Sequence, residues 1–572
     1  MVKWESKRLG DLLLLANGLV LALVLNQLAS LYFFRLDMTE EKRYTIKTPT
    51  KELLQELDDA VYIEVYLEGD LNAGFRRLRK AVKETLEEFR VYSNNKIHYS
   101  FVDPAAAMGQ NAQHEFMTAL AGKGIQPTNV IDNRDGQRTE KLVFPGALVS
   151  YGGSETGIML LKGNRAQRSE EILNQSIEGL EFELANAIKK LSDVNRKEIG
   201  VITGHGELDS VQMASLKNSL LESYNVSMVD LGDGEALRQY DVLMVAKPRR
   251  VFTEKEKYVL DQYLLQGGRL LLLIDRVDAT MDSVSQQNYF AFPYQLGLED
   301  QLFHYGVRIN PDLVQDRVSL RYPVVTGILN GKPQMTPLEW PYFPLVNHYA
   351  DHPITRNLDA CVFKFVSSMD SVKAPGIKKT PLLFSSEYSR KVTAPARVSI
   401  NDLRKEIKPE NFSSGPIVIA YLLEGKFSSL YKNRFLPEGV DPKGFISEGI
   451  DSKMIVVADG DIARNEFNPR SGQPKPLGFD DVSGQTFANK ELIANMVAYL
   501  SDESGLINAR NKEVKIRPLD KQKIRNSRLM WQVINLGGPL TLILLVGLLK
   551  VHTRKNKYSN VGKPTRNSRL RE

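Results

Sequence analysis

The sequence predicts an α/β protein in which two α/β domains lie between two transmembrane helices. Two observations support this prediction. In the central region, apolar residues alternate in some stretches and recur at spacings of three and four in others, as in strands that alternate with helices. Uncharged apolar stretches also occupy residues 12–34 and 529–549. Each is long enough to cross a hydrocarbon core of about 30 Å.

The first α/β domain is predicted over residues 35–193. Alternating apolar and polar residues indicate its strands, and spacings of three and four indicate its helices. In order, the patterns predict a helix, a strand, a helix, a strand, a hairpin and a long helix, at residues 51–57, 61–67, 75–89, 97–101, 141–162 and 173–191. Residues 105–140 show no sustained period and are predicted to be irregular.

The second α/β domain is predicted over residues 194–509. Its continuous apolar runs alternate with helices, which is typical of a parallel sheet buried on both faces. Strands are predicted at residues 199–203, 226–231, 241–246, 269–274, 417–423 and 454–458, and helices at 213–223, 254–266 and 490–500. A segment rich in proline and aromatic residues, about 310–380, is predicted to be an insertion into one open sheet.

The apolar stretches at the two ends of the chain are predicted to span a membrane. Residues 12–34 form an uncharged run longer than the apolar core of a signal peptide, so an uncleaved anchor is predicted. Residues 529–549 form the second predicted span. Two spans would place the terminal segments 1–11 and 550–572 on the same side of the membrane.

The net charge of +6 is distributed unevenly. Residues 1–8, 510–528 and 550–572 carry +2, +6 and +7, which leaves about −9 for the rest of the chain. Because the basic residues flank the apolar stretches, a membrane is the expected partner, and nucleic acid is not. Eleven basic residues flank the spans on each side, so the positive-inside rule leaves the orientation open.

Residues 510–528 form a basic juxtamembrane segment ahead of the second apolar stretch. Contact with anionic lipid headgroups would contribute about 1 kcal/mol per basic residue, and a solvated linker is the alternative. The residues predicted to lie near lipid are Lys515, Arg517, Lys521, Lys523, Arg525 and Arg528. The basic tail, residues 550–572, is predicted to be disordered.

Common catalytic motifs do not fit the sequence. The nearest approach to a phosphate-binding loop, residues 327–333 (GILNGKP), is one residue short between its glycines and lacks the Ser or Thr that would hold Mg²⁺. No G-x-S-x-G motif occurs, and the single cysteine, Cys361, lies in an apolar run that predicts a buried, inert thiol. The sequence therefore predicts a protein without catalytic residues, a bound metal or a cofactor.

Polar residues at the ends of predicted strands form the one candidate ligand site. Open α/β sheets bind ligands at the carboxyl ends of their strands, and carboxylate oxygens can hold a divalent cation. The candidate residues are His205, Glu207, Asp275, Asp459 and Asp461. The alternative is a tight turn at residues 204–207 (GHGE) and separate loop carboxylates, and the sequence favours this alternative.

Several stretches together resemble the GldG family of gliding-motility ABC transporter auxiliary subunits, which are substrate-binding-like. These stretches are residues 35–45 (RLDMTEEKRYT), 178–191 leading to 202–207 (ITGHGE), 260–264 (LDQYL) ahead of 267–275 (GGRLLLLID), and Asn489. The second domain is also similar to class I glutamine amidotransferase-like domains. The catalytic cysteine of that family has no counterpart after a strand in this sequence.

The resemblance implies an inner-membrane protein of Bacteroidota-type bacteria, with both termini cytoplasmic and the α/β domains in the periplasm. It also implies a GldF-like permease and a GldA-like ATPase as partners, with a periplasmic or cell-wall component as a further option. ABC symmetry would give two copies per complex. The leading hypothesis is a non-catalytic auxiliary subunit that binds envelope partners or relays conformational change to them. The alternative is a metal-dependent sugar- or peptide-binding or hydrolytic domain centred on the strand-end residues.

Overall fold

The computed structural model describes residues 5–31, 45–104, 110–134, 137–162, 168–193, 195–232, 234–284, 289–329, 331–404, 408–511 and 521–559. The chain divides into two compact units, Met1–Val514 and Lys515–Glu572. The predicted mixture of helices and strands is confirmed.

The N-terminal part of the first unit contains five helices and six strands among its described residues. They are α1 (Glu5–Leu31), α2 (Thr48–Gln55), β1 (Val61–Val65), α3 (Ala73–Tyr92), β2 (Ile97–Phe101), α4 (Gln110–Gly122), β3 (Thr128–Arg134), β4 (Gln137–Val143), β5 (Gly146–Tyr151), β6 (Ser154–Met159) and α5 (Ser169–Ser192).

The first domain is a four-stranded mixed sheet in the order β2-β1-β5-β6, with β1 and β2 parallel and the other pairs antiparallel. Helices α3 and α5 bury one apolar face each, and residues such as Leu78 and Leu184 are fully buried in the resulting core. The helical spacing of three and four therefore identified the core faces correctly.

The prediction that residues 105–140 are irregular is wrong for the described part of this segment, which contains α4 and the β3–β4 hairpin. The apolar face of α4 is short. Its Leu120 is buried with Tyr66 and Ile125 in a small separate cluster. Tertiary packing thus stabilises α4, although its apolar residues do not recur at a sustained helical spacing in the sequence.

The second domain follows with 17 strands and five helices, numbered on from the first domain. They are β7 (Glu198–Thr203), α6 (Ala214–Leu221), β8 (Asn225–Asp230), β9 (Val242–Ala246), α7 (Glu254–Leu265), β10 (Arg269–Leu273), α8 (Met281–Val284), β11 (Phe290–Ala291), α9 (Glu299–Tyr305), β12 (Val307–Ile309), β13 (Asp312–Asp316), β14 (Ser319–Leu329), β15 (Lys332–Val346), β16 (His348–Tyr349), β17 (Cys361–Val362), β18 (Met369–Ser371), β19 (Ile377–Phe384), β20 (Ser389–Thr393), β21 (Ala396–Arg397), β22 (Val418–Ser428), β23 (Glu448–Val457) and α10 (Asn489–Ser501). Short 3₁₀ helices occur at Ala236–Gln239, Ile400–Arg404, Pro409–Asn411, Pro442–Gly444, Asp461–Ala463 and Leu506–Asn511.

An eight-stranded sheet in the order β16-β19-β22-β23-β10-β9-β7-β8 forms the centre of the second domain. Strands β8, β7, β9, β10 and β23 are parallel, and their order is 2-1-3-4-5 when they are counted along the chain. Strands β22, β19 and β16 extend the sheet in antiparallel fashion. The sheet is therefore mixed, because the connection from β22 to β23 contains no crossover helix of the kind that a parallel pair needs.

The predicted insertion near residues 310–380 is built from antiparallel pairs, among them the long β14–β15 hairpin and the β13–β20 pair. These pairs enclose a core of their own around Leu313, Trp340 and Phe365. The insertion contributes β16 and β19 to the central sheet, so it is joined to that sheet by backbone hydrogen bonds.

Residues 502–511, here called the exit strap, follow α10 and pack against the first domain. Leu506 lies in the core of the first domain, and Ile507 packs with Phe182 of α5. Arg510, which is 1% exposed, completes a group of four charged residues with Lys162, Glu183 and Glu491. The four are called the exit cluster below.

The exit cluster joins the two domains through ion pairs. Lys162 Nζ lies 2.9 Å from Glu183 Oε2 and 3.2 Å from Glu491 Oε1. Arg510 Nη2 lies 3.6 Å from Glu183 Oε1 and 3.7 Å from Glu491 Oε1. Glu183 belongs to α5 and Glu491 to α10, so each cation contacts a carboxylate from both domains.

The second unit contains α11 (Lys521–Asn526) and α12 (Arg528–Ser559). Within α12, residues Arg528–Thr553 are long and apolar enough to span a membrane, with a mean hydropathy of 1.9 and none of the most apolar window buried. This is the one such helix among the described residues. In α1 the apolar stretch is shorter, Leu12–Gln27, and the predicted first span continues beyond the described helix. The two-span arrangement stays a prediction.

Candidate functional site

The carboxyl ends of the parallel strands bring the predicted site residues to one edge of the central sheet. His205 and Glu207 follow β7, Asp275 follows β10, and Asp459 and Asp461 follow β23. The strand order reverses between β7 and β9, which is where ligands bind in open sheets of this order. The structure sorts these five residues into two separate groups.

The three aspartates converge around a lysine, Lys247, which follows β9. Their carboxylate oxygens include one from each residue that lies within 4.8 Å of the others. Lys247 Nζ lies 2.6 Å from Asp275 Oδ2 and 2.5 Å from Asp461 Oδ2. The amine of Lys247 therefore stands beside two of the three carboxylates, where a divalent cation would have to bind. Lys247 and the three aspartates are called the edge cluster below.

The backbone conformation around the edge cluster allows Lys247 to reach the two carboxylates. Lys247 has a left-handed conformation with φ of 59°, and its N–H donates to Leu273 O at 2.8 Å. Gly460 passes so close that a Cβ there would lie 2.6 Å from Lys247 Cβ, so glycine is required. The N–H of Gly460 donates to Asp275 Oδ1 at 2.5 Å.

Asp459 is held by the backbone and not by the lysine. Its carboxylate accepts hydrogen bonds from the N–H of Lys364 and the N–H of Asp461, both at 2.7 Å. The side chain is fully buried. A buried carboxyl with only neutral donors beside two other carboxyls is a strong candidate for protonation.

Burial and the neighbouring charges set the ionisation of the edge cluster. Burial raises the pKa of Asp459 well above its usual value, and the carboxylates of Asp275 and Asp461 raise it further. Burial also raises the pKa of Asp275, which the charge of Lys247 only partly opposes. For Asp461 the effect of burial is outweighed by Lys247, and its pKa is lowered.

Burial tends to lower the pKa of the Lys247 ammonium, but Asp275 and Asp461 outweigh it and the pKa is raised. Lys247 is thus protonated and Asp461 ionised at neutral pH. A buried lysine that already pairs with two carboxylates neutralises the charge that would attract a metal ion. The edge cluster therefore has the character of an internal ion-pair group.

His205 and Glu207 form a second group, centred on the turn after β7. The N–H of His205 donates to Glu207 Oε2 at 2.6 Å, and His205 Nδ1 lies 3.1 Å from Glu207 Oε1. On the other side of the ring, His205 Nε2 lies 3.2 Å from Glu256 Oε1 of α7. The ring also stacks on Phe252, with centroids 3.8 Å apart.

The backbone of the His205 turn is also engaged, since the carbonyl of His205 accepts hydrogen bonds at 2.8 Å from the N–H groups of Arg249 and Arg250. Both ring nitrogens and both Glu207 oxygens thus have partners within the protein. Among the described residues, no hydrogen bond or ion pair joins this turn to the edge cluster. The five predicted residues share an edge of the sheet but do not line one common site.

Comparison with known proteins places the chain in a family. Residues 196–496 match a family described as "ABC-type uncharacterized transport system", which consists of ABC transporter auxiliary proteins. This chain belongs to that ABC transporter auxiliary family. Residues 40–150 match a second family, described as a domain of unknown function (DUF7088).

A bacterial protein is similar to the chain over most of its length. A Borreliella burgdorferi protein with the description "Uncharacterized protein" is 23% identical over 543 residues, which cover 92% of this chain and 95% of that protein. The chain is thus similar to a protein with nearly the same extent, including the regions outside residues 196–496.

Solved structures resemble the auxiliary protein only weakly. The mmIFT52 N-terminal domain matches with a TM-score of 0.29 and 15% identity, over 53% of this chain and 97% of that domain. A ThuA-like protein from Parabacteroides merdae matches with a TM-score of 0.25 and 11% identity, over 57% of this chain and 94% of that one. Likeness at this level carries no argument about function.

The sequence reasoning missed the basic partner in the auxiliary protein's edge cluster. The search along strand ends considered acidic residues and His205, whereas Lys247 directly follows the apolar strand β9. A search for all charged residues at strand ends would have found it. Glu256 could not have been found in this way, because it lies within the first turn of α7.

The single cysteine of the auxiliary protein is buried, as predicted. Burial raises the pKa of the Cys361 thiol, so the reactive thiolate is disfavoured. Cys361 begins the two-residue strand β17 and is not in a turn after a parallel strand. The similarity to amidotransferase-like domains stays a prediction.

The residues predicted to lie near lipid fall in the second unit or close to its start. Lys515 and Arg517 lie outside the described residues. Lys521, Lys523 and Arg525 belong to α11, and Arg528 is the first residue of α12. The side chains of Arg525 and Arg528 are exposed, as contact with headgroups requires. Lipid contact stays a prediction.

Proposed function

We propose that this chain is a non-catalytic, membrane-anchored auxiliary subunit of an ABC transporter, with its two α/β domains outside the cytoplasm and both termini inside. Family membership supports association with ABC transporter components. The single observation that carries the non-catalytic part is the Lys247 amine between Asp275 and Asp461, because it occupies the place beside these two carboxylates that a catalytic divalent cation would need.

The anchoring part of the proposal is supported by α12. Its apolar side chains are exposed on all sides of the helix, among them Leu529, Leu536, Leu544 and Val551. Exposure of such an apolar surface to water raises the free energy, whereas in a bilayer the same surface contacts the hydrocarbon chains of the lipids. The exit strap precedes this helix in sequence and is tied to both domains through the exit cluster, which suits a subunit that relays motion.

In its finer form the proposal assigns the chain to gliding motility, with a GldF-like permease and a GldA-like ATPase, two copies per complex and an envelope component as a further partner. The support is the resemblance of residues 35–45, 202–207 and 267–275 to the GldG family. Loss of gliding after deletion of the gene, in a host that glides, would be the expected phenotype.

Co-purification tests the ABC association. The tagged full-length chain, extracted from membranes in mild detergent, is expected to retain a permease and an ATPase subunit. An unrelated tagged inner-membrane protein from the same host serves as the control. Recovery of the chain without either transporter subunit, under conditions that preserve other ABC complexes, would contradict the proposal.

Cysteine accessibility tests the topology. Because Cys361 is the only cysteine and is buried, the unaltered chain gives a low labelling background. Ser471→Cys, in an exposed loop, is expected to react with a membrane-impermeant maleimide in intact cells. Ser568→Cys, in the basic tail, is expected to react only after lysis. The reverse pattern would overturn the assigned orientation, and labelling of both in intact cells would overturn the membrane crossing between the second domain and the tail.

The second candidate function is a metal-dependent binding or hydrolytic domain at the sheet edge. It is favoured by the convergence of Asp275, Asp459 and Asp461. This candidate predicts that the unaltered chain binds Mg²⁺, Mn²⁺ or Ca²⁺ stoichiometrically. Calorimetric titration decides between the two, since the auxiliary-subunit proposal expects no binding while Lys247 is present.

A further inference from the structure

A cleft beside α9 has no part in the proposed function. Its volume is about 600 Å³. Helix α9, strand β12, residues 373–377 and the end of β22 form its walls. Cavities of this size accept small organic ligands. The edge cluster is not part of its lining.

Basic side chains outnumber acidic ones in the lining. The basic residues are Arg276, Arg308, Lys373 and Arg434, and the acidic residues are Glu299 and Asp300. Asp300 forms two ion pairs, since its carboxylate lies 2.6 Å from Arg434 Nη1 and 2.8 Å from the buried Lys257 Nζ. Lys373 is exposed and has no ion pair among the described residues. Arg308 is also paired, because its Nη2 lies 3.0 Å from Asp370 Oδ2 outside the lining. The excess positive charge that favours an anion is therefore that of Lys373.

Arg276 is the least exposed basic residue of the cleft, with a side chain that is 17% exposed. Nη1 lies 3.2 Å from Glu299 Oε1. Its Nε is shielded from solvent and has no hydrogen-bond acceptor in the part of the chain that the structure describes. A partly buried guanidinium with an unused donor is suited to a planar carboxylate or a phosphate group.

Apart from His304, Tyr305 and Ser428, the remaining lining is apolar, and it suits the body of an organic molecule. Phe303 and Phe427 contribute aromatic surface, and Pro311 and Pro375 contribute rigid apolar surface. Beside Arg276, a small cavity lined by leucine and isoleucine side chains adjoins the cleft. An inorganic anion would contact only the basic residues and would leave this apolar surface exposed to water.

We propose that the cleft beside α9 binds an organic anion, that is, a small molecule with a carboxylate or phosphate group on a body of up to disaccharide size. The anionic group lies at Arg276 and is reached also by Arg308 and Lys373, and the body lies against Phe303 and Phe427. This binding site is independent of the ABC association and of the edge cluster.

The test uses three probes with one body, namely glucose, glucuronate and glucose 6-phosphate, titrated into the full-length chain in detergent. At least one charged probe is expected to bind about tenfold more tightly than glucose, and its affinity is expected to fall with added salt. The carboxylate and the phosphate probes separate the two possible anionic groups. Equal affinity for all three probes, or no binding of any of them, would overturn the proposal.

Arginine variants locate the binding. Arg276→Gln is expected to lower the affinity for the charged probe about tenfold and to leave the affinity for glucose unchanged. Arg308→Gln, at a side chain that is 56% exposed, is expected to lower the affinity for the charged probe about threefold without affecting folding. Arg321→Gln is the matched control, at an exposed arginine outside the lining.

Thermal denaturation shows whether each variant is folded. If Arg276→Gln does not fold, the decision rests on Arg308→Gln. Unchanged binding by Arg308→Gln, or an equal loss in Arg321→Gln, would overturn the placement of the anion in this cleft.

Discussion

The edge cluster and the exit cluster are both groups of four charged residues, yet they differ in burial and in charge. The side chains of Lys162 and Glu491 in the exit cluster are 27% and 32% exposed, whereas those of Lys247, Asp275 and Asp461 are at most 9% exposed. The edge cluster holds one lysine and three aspartates, all from the second domain. In the exit cluster two cations and two glutamates come from both domains and the exit strap. The carboxylates of the edge cluster outnumber its single cation, so at least one aspartate is expected to stay protonated. In the exit cluster the two cations balance the two glutamates, so all four residues can be ionised.

The pKa shifts follow this difference. In the edge cluster, burial raises the pKa of Asp459 and Asp275, because one lysine cannot compensate three carboxylates. In the exit cluster, burial opposes ionisation of Glu491, but Lys162 and Arg510 outweigh it and the pKa is lowered. The edge cluster therefore lies within one domain, whereas the exit cluster joins two domains.

The largest effect is expected from Lys247→Met, which removes the only cation of the edge cluster. Asp275 and Asp461 would then be buried without the ammonium that pairs with both, and the domain should lose about 3–5 kcal/mol of stability. Amide hydrogen exchange in β9, β10 and β23 measures this. Lys255→Met, at an exposed lysine of α7, is the control and should change stability by less than about 0.5 kcal/mol. A small effect of Lys247→Met would mean that the cluster does not hold these strands together.

A smaller loss is expected from Arg510→Met in the exit cluster. Lys162 still pairs with both glutamates in this variant, so the cost should be about 2 kcal/mol. The loss should appear as faster exchange in residues 502–511 and at the adjoining face of α5, with β9 and β10 unchanged. Arg470→Met, at an exposed loop arginine, is the control. Equal loosening of the central sheet would show that the two clusters are not independent.

A gain of about 1.4 kcal/mol is expected when a divalent cation is added to Lys247→Ala, provided that the cation is about tenfold above its Kd. Removing the amine leaves three carboxylates within 4.8 Å, a set that Ca²⁺ or Mg²⁺ can use. Thermal denaturation with and without cation measures the gain. The unaltered chain and the double variant Lys247→Ala/Asp461→Ala should show none. Stabilisation of the unaltered chain would favour the metal-dependent alternative.

The smallest effect is expected from Asp459→Asn, and it concerns pH. Because the folded pKa of Asp459 lies above its ordinary value of 3.8, its contribution to stability is complete below that value and is lost as pH rises through the folded pKa. Asp459→Asn should remove this dependence and match or slightly exceed the unaltered chain at high pH. Asp451→Asn, at an exposed position, should leave the pH dependence unchanged.

The exit cluster should respond to pH in the opposite direction. The pKa of Glu491 is lowered below its ordinary value of 4.5, so its contribution is present above that value and is lost as pH falls through the folded pKa. Exchange in the exit strap should therefore accelerate in acid. The response at the carboxyl ends of β10 and β23 should be weaker, because the loss from Asp461, whose pKa is lowered, is opposed by Asp459 and Asp275, whose pKa values are raised. Responses of equal size would contradict the contrast between the clusters.

The sequence by itself determined the secondary structure wherever one face of an element is buried. The alternation in β1 and the apolar stripe of α5 identified these elements, because burial on one face imposes a period on the residues. The continuous apolar strands β9 and β10 likewise indicated a parallel sheet. The apolar run at residues 529–549 located α12, because its length and composition are local properties.

Only the tertiary structure decided what the charged residues do. The sequence placed His205, Glu207 and the three aspartates at strand ends, but pairing depends on strand order and on the side chains that reach over from neighbouring elements. The order 2-1-3-4-5 sets Lys247 beside Asp275, and α7 brings Glu256 to His205. The exit cluster joins residues more than 300 positions apart, Lys162 and Glu491, and no local pattern carries that information.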